Sequence, residues 1–305
     1  MNDYLCKMFK SGFVNIIGKP NVGKSTLMNA LVGEKMSIIT PKPQTTRHRI
    51  LGILSGENFQ LIFSDTPGFI DNPAYRMQKT MNSSVRGSFE DADLLLWVSE
   101  YSEPDNSLEI LHETFNQLTI PLVLVLNKID LRTREEIQEW TSRKKELFPK
   151  AHFFAVSALK QIQTEDLLTF IKDNLPEGPE YYPPDQLTDR NERFFVAEII
   201  REKILLQYKQ EIPYSVEVRV ESFKEDLTTA GKPIVRIQAT IFASRKSQKP
   251  ILIGKSGSSL KALGEASRLD IETFLESKVY LELFVKIREN WRDDEQSLKQ
   301  FGYEG

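Results

Sequence analysis

A chain of 305 residues, 40% hydrophobic and 27% charged, has the length for about two globular domains and ample apolar material for their cores. No apolar run approaches the ~20 residues that span a bilayer, the opening MNDYLCKMFK lacks the basic-then-apolar order of a secretion signal, and Cys6, the single cysteine, excludes an intramolecular disulfide and a thiolate metal cluster. A cytoplasmic protein is expected; its net charge of −3 is unevenly spread, with 20 Lys+Arg against 18 Asp+Glu in residues 190–305 and 20 against 25 in residues 1–189.

In chain order, FVNIIG (13–18) reads as a strand and residues 24–33 as a helix. FQLIFSD (59–65), DLLLWVS (93–99), PLVLVLN (121–127) and HFFAVSA (152–158) read as further strands, separated by helical stretches at 75–89, 106–118, 135–147 and 164–175. Near-continuous apolar strands alternating with amphipathic helices predict an α/β domain over residues 1–175, its mostly parallel sheet covered on both faces. Residues 176–190 hold four prolines and a glycine, which stop helix and strand alike and mark a semi-rigid linker. Beyond it, 193–208 has helical spacing, 213–223 and 233–243 alternate as half-buried strands, ILI (251–253) reads as a short strand, 258–275 as a helix and 279–287 as a strand. Residues 191–305 therefore predict a smaller α+β domain of order α-β-β-α-β, ending in a short amphipathic segment (293–303) that packs on that domain.

The motifs sit at strand ends. Residues 18–25, GKPNVGKS, match the phosphate-loop pattern between a strand and a helix. Gly18, Gly23 and the backbone through Asn21, Val22 and Thr26 would cradle phosphates, Lys24 would bridge the β- and γ-phosphates, and Ser25 would ligate Mg²⁺. The loop does not choose between ATP and GTP. The choice comes from Asn127, Lys128 and Asp130 (NKID): a carboxylate accepts the paired N1–H and exocyclic amine of guanine, whereas adenine would leave it unsatisfied at about 1–3 kcal/mol or more. Asn127 would meet the opposite edge of guanine and tie the loop, the Lys128 stem would pack on the ring, and the backbone of Ser157, Ala158 and Leu159 would meet the guanine O6. Asp65, Thr66, Pro67 and Gly68 (DTPG) would hold Mg²⁺ through water and sense the γ-phosphate. One of Thr45 or Thr46, in a polar loop free to order around a γ-phosphate, would complete the metal shell. Lys24, Thr46 and Gly68 are the candidate catalytic positions. Phe69 follows DTPG where Ras-like proteins carry a water-orienting Gln, so slow intrinsic turnover is expected. No His/Cys/carboxylate spacing supports a zinc site, and Trp97, Trp140 and Trp291 read as packing residues.

In the second half, Ile253, Gly254, Lys255, Ser256 and Gly257 form a GxxG turn inside a basic window that holds Arg245, Lys246, Lys249, Lys255 and Lys261 and no acidic residue. Such a turn lets a helix N-terminus approach the backbone of single-stranded RNA beside an apolar groove. Ser258 or Ser259 would cap the helix that follows.

These motifs, in this order and wording, resemble a translation-factor-class GTPase of the TrmE/Era/EngA group. The stretches GKPNVGKSTLMN, PQTTRHRI, DTPG, NKID, REKILLQYKQEIPYSVEV and ILIGKSGSSLKALG make the whole chain similar to the Era family, a GTPase domain followed by a type II KH domain. The resemblance implies a ribosome-assembly factor that binds small-subunit ribosomal RNA near its 3′ end and the small ribosomal subunit, with GTP or GDP and Mg²⁺. It also implies peripheral association with the inner face of the cell membrane, for which the residues give no independent signal. Asn21 resembles the asparagine with which relatives recruit K⁺ near the phosphates. A monomer is the expectation.

Overall fold

The computed structural model describes residues 9–104 and 109–303; Cys6 and the start of the helix expected from residue 106 lie outside them. The first half runs β1 (Lys10–Ile17), α1 (Lys24–Val32), β2 (Ile50–Gly56), β3 (Phe59–Asp65), α2 (Arg76–Gly87), β4 (Leu94–Ser99), α3 (Glu109–Gln117), β5 (Leu122–Leu126), α4 (Arg134–Leu147), β6 (His152–Ala155) and α5 (Thr164–Asn174). Its sheet has the order β2-β3-β1-β4-β5-β6, parallel except for β2, which pairs antiparallel with β3. Val14 and Ile16 of β1 face one apolar layer with α1 and α5, and Ile17, Leu95 and Trp97 face another with Trp140 and Phe115. Sheets buried on both faces read as unbroken apolar runs, which is why β4 and β5 were legible. β2 was not predicted: ILGILSG is short, lies at the sheet edge and contains two glycines.

Successive strands add on opposite sides of β1, so the loop after β1 opens at the topological switch point, where ligands bind in such sheets. The proline-rich stretch does not hang free. Ile53 N donates to Leu187 O at 2.8 Å and Gln60 Oε1 accepts from Tyr181 N at 2.8 Å, so the chain after α5 satisfies the exposed edge of β2.

The second half comprises α6 (Glu192–Gln207), β7 (Val216–Leu227), β8 (Pro233–Ala243), α7 (Gln248–Ile253), α8 (Ser258–Phe274), β9 (Val279–Ile287) and α9 (Glu295–Gln300). Its sheet is β7-β8-β9, with β7 antiparallel and β9 parallel to β8. Ile237, Ala239 and Ile241 of β8 pack under α6 and α8, which leaves the other sheet face uncovered by these helices and explains the alternation read from the sequence.

Two expectations need correction. ILI is the last turn of α7, not a strand: Leu252 is fully buried and Ile251 exposed, and Pro250 sits where a helical first turn tolerates a missing N–H. A three-residue apolar run cannot distinguish helix from strand. The C-terminal segment packs on more than its own half. Trp291, Leu298 and Tyr303 form a buried cluster with Met77 and Met81 of α2, while Phe301 stacks on Phe242 of β8 at 5.2 Å. The three tryptophans are buried, as expected.

Candidate nucleotide and nucleic-acid sites

A cleft of about 510 Å³ opens over the loop after β1, walled by the middle of the phosphate loop (Pro20, Asn21 and Gly23), the start of α1, residues 38–41 and 44–46, Gly68, residues 127–128 and 130–131, Ser157 and Leu159. Gly23 has φ 97°, and a Cβ there would fall 2.2 Å from Asn127 Nδ2, so only glycine permits this approach of the two loops. Lys24 Nζ folds back onto Gly18 O at 3.1 Å and Lys19 O at 2.8 Å. Burial lowers its pKa to about 8, against the pull of Asp65 and Glu103 in the other direction.

Behind Lys24 lies an oxygen cluster. Ser25 Oγ donates to Asp65 Oδ2 at 2.6 Å and lies 2.8 Å from Thr46 Oγ1, which itself reaches Asp65 Oδ2 at 3.3 Å. Asp65 is fully buried and its Oδ1 has no hydrogen-bond partner among the described residues. Burial raises its pKa, opposed by Lys24 and Ser25. Two hydroxyls converging on a carboxylate with an orphaned oxygen form a hard-cation donor set, and these residues fit Mg²⁺. Of the two threonines only Thr46 joins this cluster: Thr45 Oγ1 donates to Lys42 O at 2.6 Å and lies 2.7 Å from Thr40 Oγ1.

At the far end, Asn127 is buried after β5. Its Nδ2 donates to Val22 O at 2.9 Å and its Oδ1 accepts from Lys128 N at 2.8 Å and Ala158 N at 3.0 Å. It ties three loops together, the tying half of the role expected of it. Asp130 is exposed to the cleft and accepts from Ser157 Oγ at 2.6 Å. The Lys128 ammonium bridges Asn21 O at 2.8 Å and Glu100 Oε2 at 2.6 Å, which lays its stem along the cleft. Leu131 and Leu159 are 67% and 74% exposed at the same end, an apolar rim suited to a flat ring.

Gly18, Val22, Asp65, Thr66, Pro67 and Ala158 stand behind the wall instead of lining it. Thr66, for instance, donates its hydroxyl to Ile16 O at 2.7 Å. Phe69 is buried among Ile17 and Trp97, turned away from the cleft, and its N donates to Gly18 O at 3.2 Å. Sequence reasoning missed Ile38, Ile39 and Pro41 in the wall and Ser157 as the group that holds Asp130. The signal for the first was an apolar pair before an otherwise polar loop.

That polar loop is not free. Its residues are fastened to the second half: Arg47 Nη1 donates to Val216 O at 2.7 Å and Glu217 at 3.1 Å, and Nη2 to Pro213 O at 2.9 Å. Arg201 donates to Thr45 O and Lys42 to Tyr208 O. Tyr303 Oη donates to Glu217 at 2.6 Å, and Met77 N to Arg292 O at 2.9 Å. Thr46 is therefore one residue from a side chain anchored in β7.

In the second half Gly254 has φ 74° and Gly257 φ 82°, and Gly257 N donates to Gly254 O at 3.2 Å. A Cβ at Gly254 would strike Ser259 Oγ at 2.2 Å, whereas one at Gly257 meets open space. The cap of α8 is Gly257, without a side-chain hydrogen bond, so neither Ser258 nor Ser259 caps it. Lys255, Ser256 and Lys261 are exposed around the turn, Ile253 is half-buried and Lys249 likewise. Lys246 is exposed and pairs with Glu289 at 3.4 Å. Beside Gly257 runs a groove of about 400 Å³ between α8 and β9, with Leu260, Leu281 and Leu283 as its floor and Lys261 and Arg268 at its rim. The β9 wall was not anticipated, because a strand that lines a groove reads like any half-buried strand.

Comparison with known proteins matches residues 13–128 to the 50S ribosome-binding GTPase family and residues 211–292 to the KH domain family. The chain is 46% identical to the GTPase Era of Syntrophus aciditrophicus (strain SB) over 298 residues, covering 97% of this chain and 96% of that protein. It is 45% identical over 304 residues to the chloroplastic GTPase ERA1 of Zea mays, covering 99% of this chain and 72% of that protein. Among solved structures, a variant of Aquifex aeolicus Era bound to GDP and tetrafluoroaluminate superposes with TM-score 0.91 at 36% identity, covering 97% of this chain and 99% of that one. A structure of Era with MgGDPNP and nucleotides 1506–1542 of 16S ribosomal RNA gives the same TM-score, identity and coverage.

Proposed function

The chain belongs to the Era family of GTPases, and from that premise we propose that it binds GTP in the cleft over β1, hydrolyses it slowly, and engages the 3′ end of small-subunit ribosomal RNA through its KH domain to assist small-subunit assembly. The observation that carries the nucleotide half is the convergence of Ser25, Thr46 and the orphaned Asp65 oxygen beside Lys24. Mg²⁺ held there by Ser25 and Thr46, with Asp65 behind, would offset charge on the β- and γ-phosphate oxygens. Lys24 exchanges its two carbonyl acceptors for phosphate oxygens, and the Gly68 N–H meets the γ-phosphate. Asp130, oriented by Ser157, accepts from guanine N1–H and the exocyclic amine. Because Phe69 is buried, no side chain at that position orients the attacking water, which supports slow turnover. Asn21 has φ 67°, and its Nδ2 donates to Pro41 O at 3.0 Å; its carbonyl oxygen is the kind of ligand K⁺ takes, so K⁺ is proposed to add to the positive charge at the phosphates.

The RNA half rests on the turn at 254–257 with the apolar floor beside it: backbone N–H groups and Lys255 take the sugar-phosphate chain, and bases enter between α8 and β9. The two activities are coupled through the loop that carries Thr46. When Thr46 turns to the γ-phosphate, Arg47 moves with it, and its anchors in Pro213, Val216 and Glu217 shift the KH half.

The test is GTP turnover in K⁺ and Mg²⁺ with and without an rRNA 3′-terminal fragment, beside Lys255→Ala, which removes a phosphate contact and leaves both positive-φ glycines intact. Stimulation by RNA that Lys255→Ala weakens is expected. RNA affinity identical with GTP analogue, GDP and no nucleotide would refute the coupling, and turnover unchanged when Na⁺ replaces K⁺ would refute the potassium site.

A further inference from the structure

At the base end of the nucleotide cleft, the Lys128 side chain is held by a carboxylate that does not itself line the cleft. Parallel pairing of β4 with β5 continues past Ser99 and Leu126, because Asn127 N donates to Ser99 O at 2.9 Å. That register sets Glu100, the first residue after β4, beside Asn127 and Lys128. Glu103 N donates to Glu100 O at 3.0 Å, a turn that fixes the Glu100 backbone.

Both carboxylate oxygens of Glu100 are engaged. Oε2 accepts from Lys128 Nζ at 2.6 Å, and Oε1 accepts from Ser102 Oγ at 3.1 Å. The Lys128 ammonium also donates to Asn21 O in the phosphate loop at 2.8 Å, so two of its three N–H groups are taken. Lys128 has φ 64°, a left-handed backbone that a lysine keeps only where its surroundings hold it. A lysine stem is flexible, and a charged partner at its tip confines it to one geometry. Charge alone would argue against a carboxylate here, because it repels the phosphates of a ligand bound in the same cleft. The contact with Lys128 outweighs that repulsion only if the fixed stem is what the ligand needs.

We propose that Glu100 is a positioning residue for the nucleotide: it fixes the Lys128 stem as the face on which guanine packs and ties that face to the phosphate loop at Asn21. Glu100 touches no part of the ligand. Asp130 reads the edge of the base, whereas an aliphatic stem under the ring is blind to that edge. Loss of Glu100 therefore weakens GTP and GDP alike and leaves the choice of base unchanged. The Lys128 and Glu100 side chains are 38% and 34% exposed, so the contribution is modest and is screened by salt. The inference rests on the guanine site proposed above.

The full chain is compared with Glu100→Ala and Glu100→Gln by release of a fluorescent GDP analogue and by turnover of GTP and of ITP, which lacks the exocyclic amine. Glu100→Ala should release GDP about two- to fivefold faster and raise KM by a similar factor without lowering kcat. Glu100→Gln, which keeps an acceptor for Lys128 without the charge, should fall between. Raising ionic strength with choline chloride at constant K⁺ should close the gap between Glu100→Ala and the wild type. In a Lys128→Met background Glu100→Ala should add nothing. Release unchanged or slower in Glu100→Ala, the result expected of a bystander charge, overturns the proposal, as does an undiminished effect on top of Lys128→Met. A collapse of the preference for GTP over ITP would mean that the substitution disturbs the Asp130 loop, and overturns it too. Failure of the guanine site itself reads differently: the wild type would then not prefer GTP to ATP, and the positioning role would fall with it.

Discussion

Replacing Arg47 with methionine tests the seam most directly. The guanidinium is wholly inaccessible and its acceptors, Pro213 O, Val216 O and Glu217, all belong to the second half. Methionine keeps most of the stem and removes every donor, leaving two carbonyls bare and Glu217 without its cation. Breaking a buried pair from one side costs about 3–5 kcal/mol. Tyr303 Oη still donates to Glu217 at 2.6 Å, so the lower end, about 3 kcal/mol, is expected. The assay is urea unfolding of the nucleotide-free protein followed by tryptophan fluorescence. Trp291 reports on the seam, because it is buried beside Met77 and Met81 and donates Nε1 to Ser215 O at 3.0 Å. Adding Glu217→Gln to Arg47→Met removes the orphaned charge while keeping an acceptor for Tyr303, and should recover more than half of the loss. A loss below about 1 kcal/mol, or a double variant no better than the single, would refute the view that this ion pair fastens the 40s loop to β7.

Three further outcomes follow from the sites. Lys24 has its pKa lowered from 10.5 to about 8 by burial, so above pH 8 the free protein holds it neutral and nucleotide binding must take up a proton. GTP affinity should therefore fall between pH 8 and 10, while the nucleotide-free protein, relieved of a buried ammonium, gains stability over the same window; calorimetry in buffers of different ionisation enthalpy reads the proton directly, and flat affinity counts against it. Thr46→Val should weaken Mg²⁺-dependent GTP binding by about 1–3 kcal/mol and Thr45→Val should not, because only Thr46 reaches Ser25 and Asp65; equal effects would place the metal elsewhere. Gly254→Ala should lower the thermal midpoint more than Gly257→Ala, since its Cβ meets Ser259 at 2.2 Å while that of Gly257 meets nothing, and equal midpoints would mean that the turn relaxes freely.

The motifs were legible because their chemistry is local. A phosphate loop needs glycines, a lysine and a hydroxyl within eight residues, and NKID and DTPG each sit at the end of an apolar strand that announces itself. The two-face burial of β4 and β5 and the one-face burial of β8 follow from composition along single strands. ILI failed as a strand because three apolar residues carry no period, and β2 was missed because an edge strand needs a neighbour to define it: its outer edge is closed by Leu187, more than 130 residues away in the chain.

The residues themselves determined which chemistry this protein carries: phosphate, guanine and hard-cation ligands, and a GxxG turn in a basic window. Which threonine reaches Ser25 and Asp65, that Ser157 hydrogen-bonds Asp130, and that Arg47, His48 and Tyr303 meet across the seam were decided only by tertiary structure. The physical reason is reach. Hydrogen bonds act over about 3 Å, and no pattern along the chain records which residues, from 19 to 170 positions apart, the packed sheets bring within that distance.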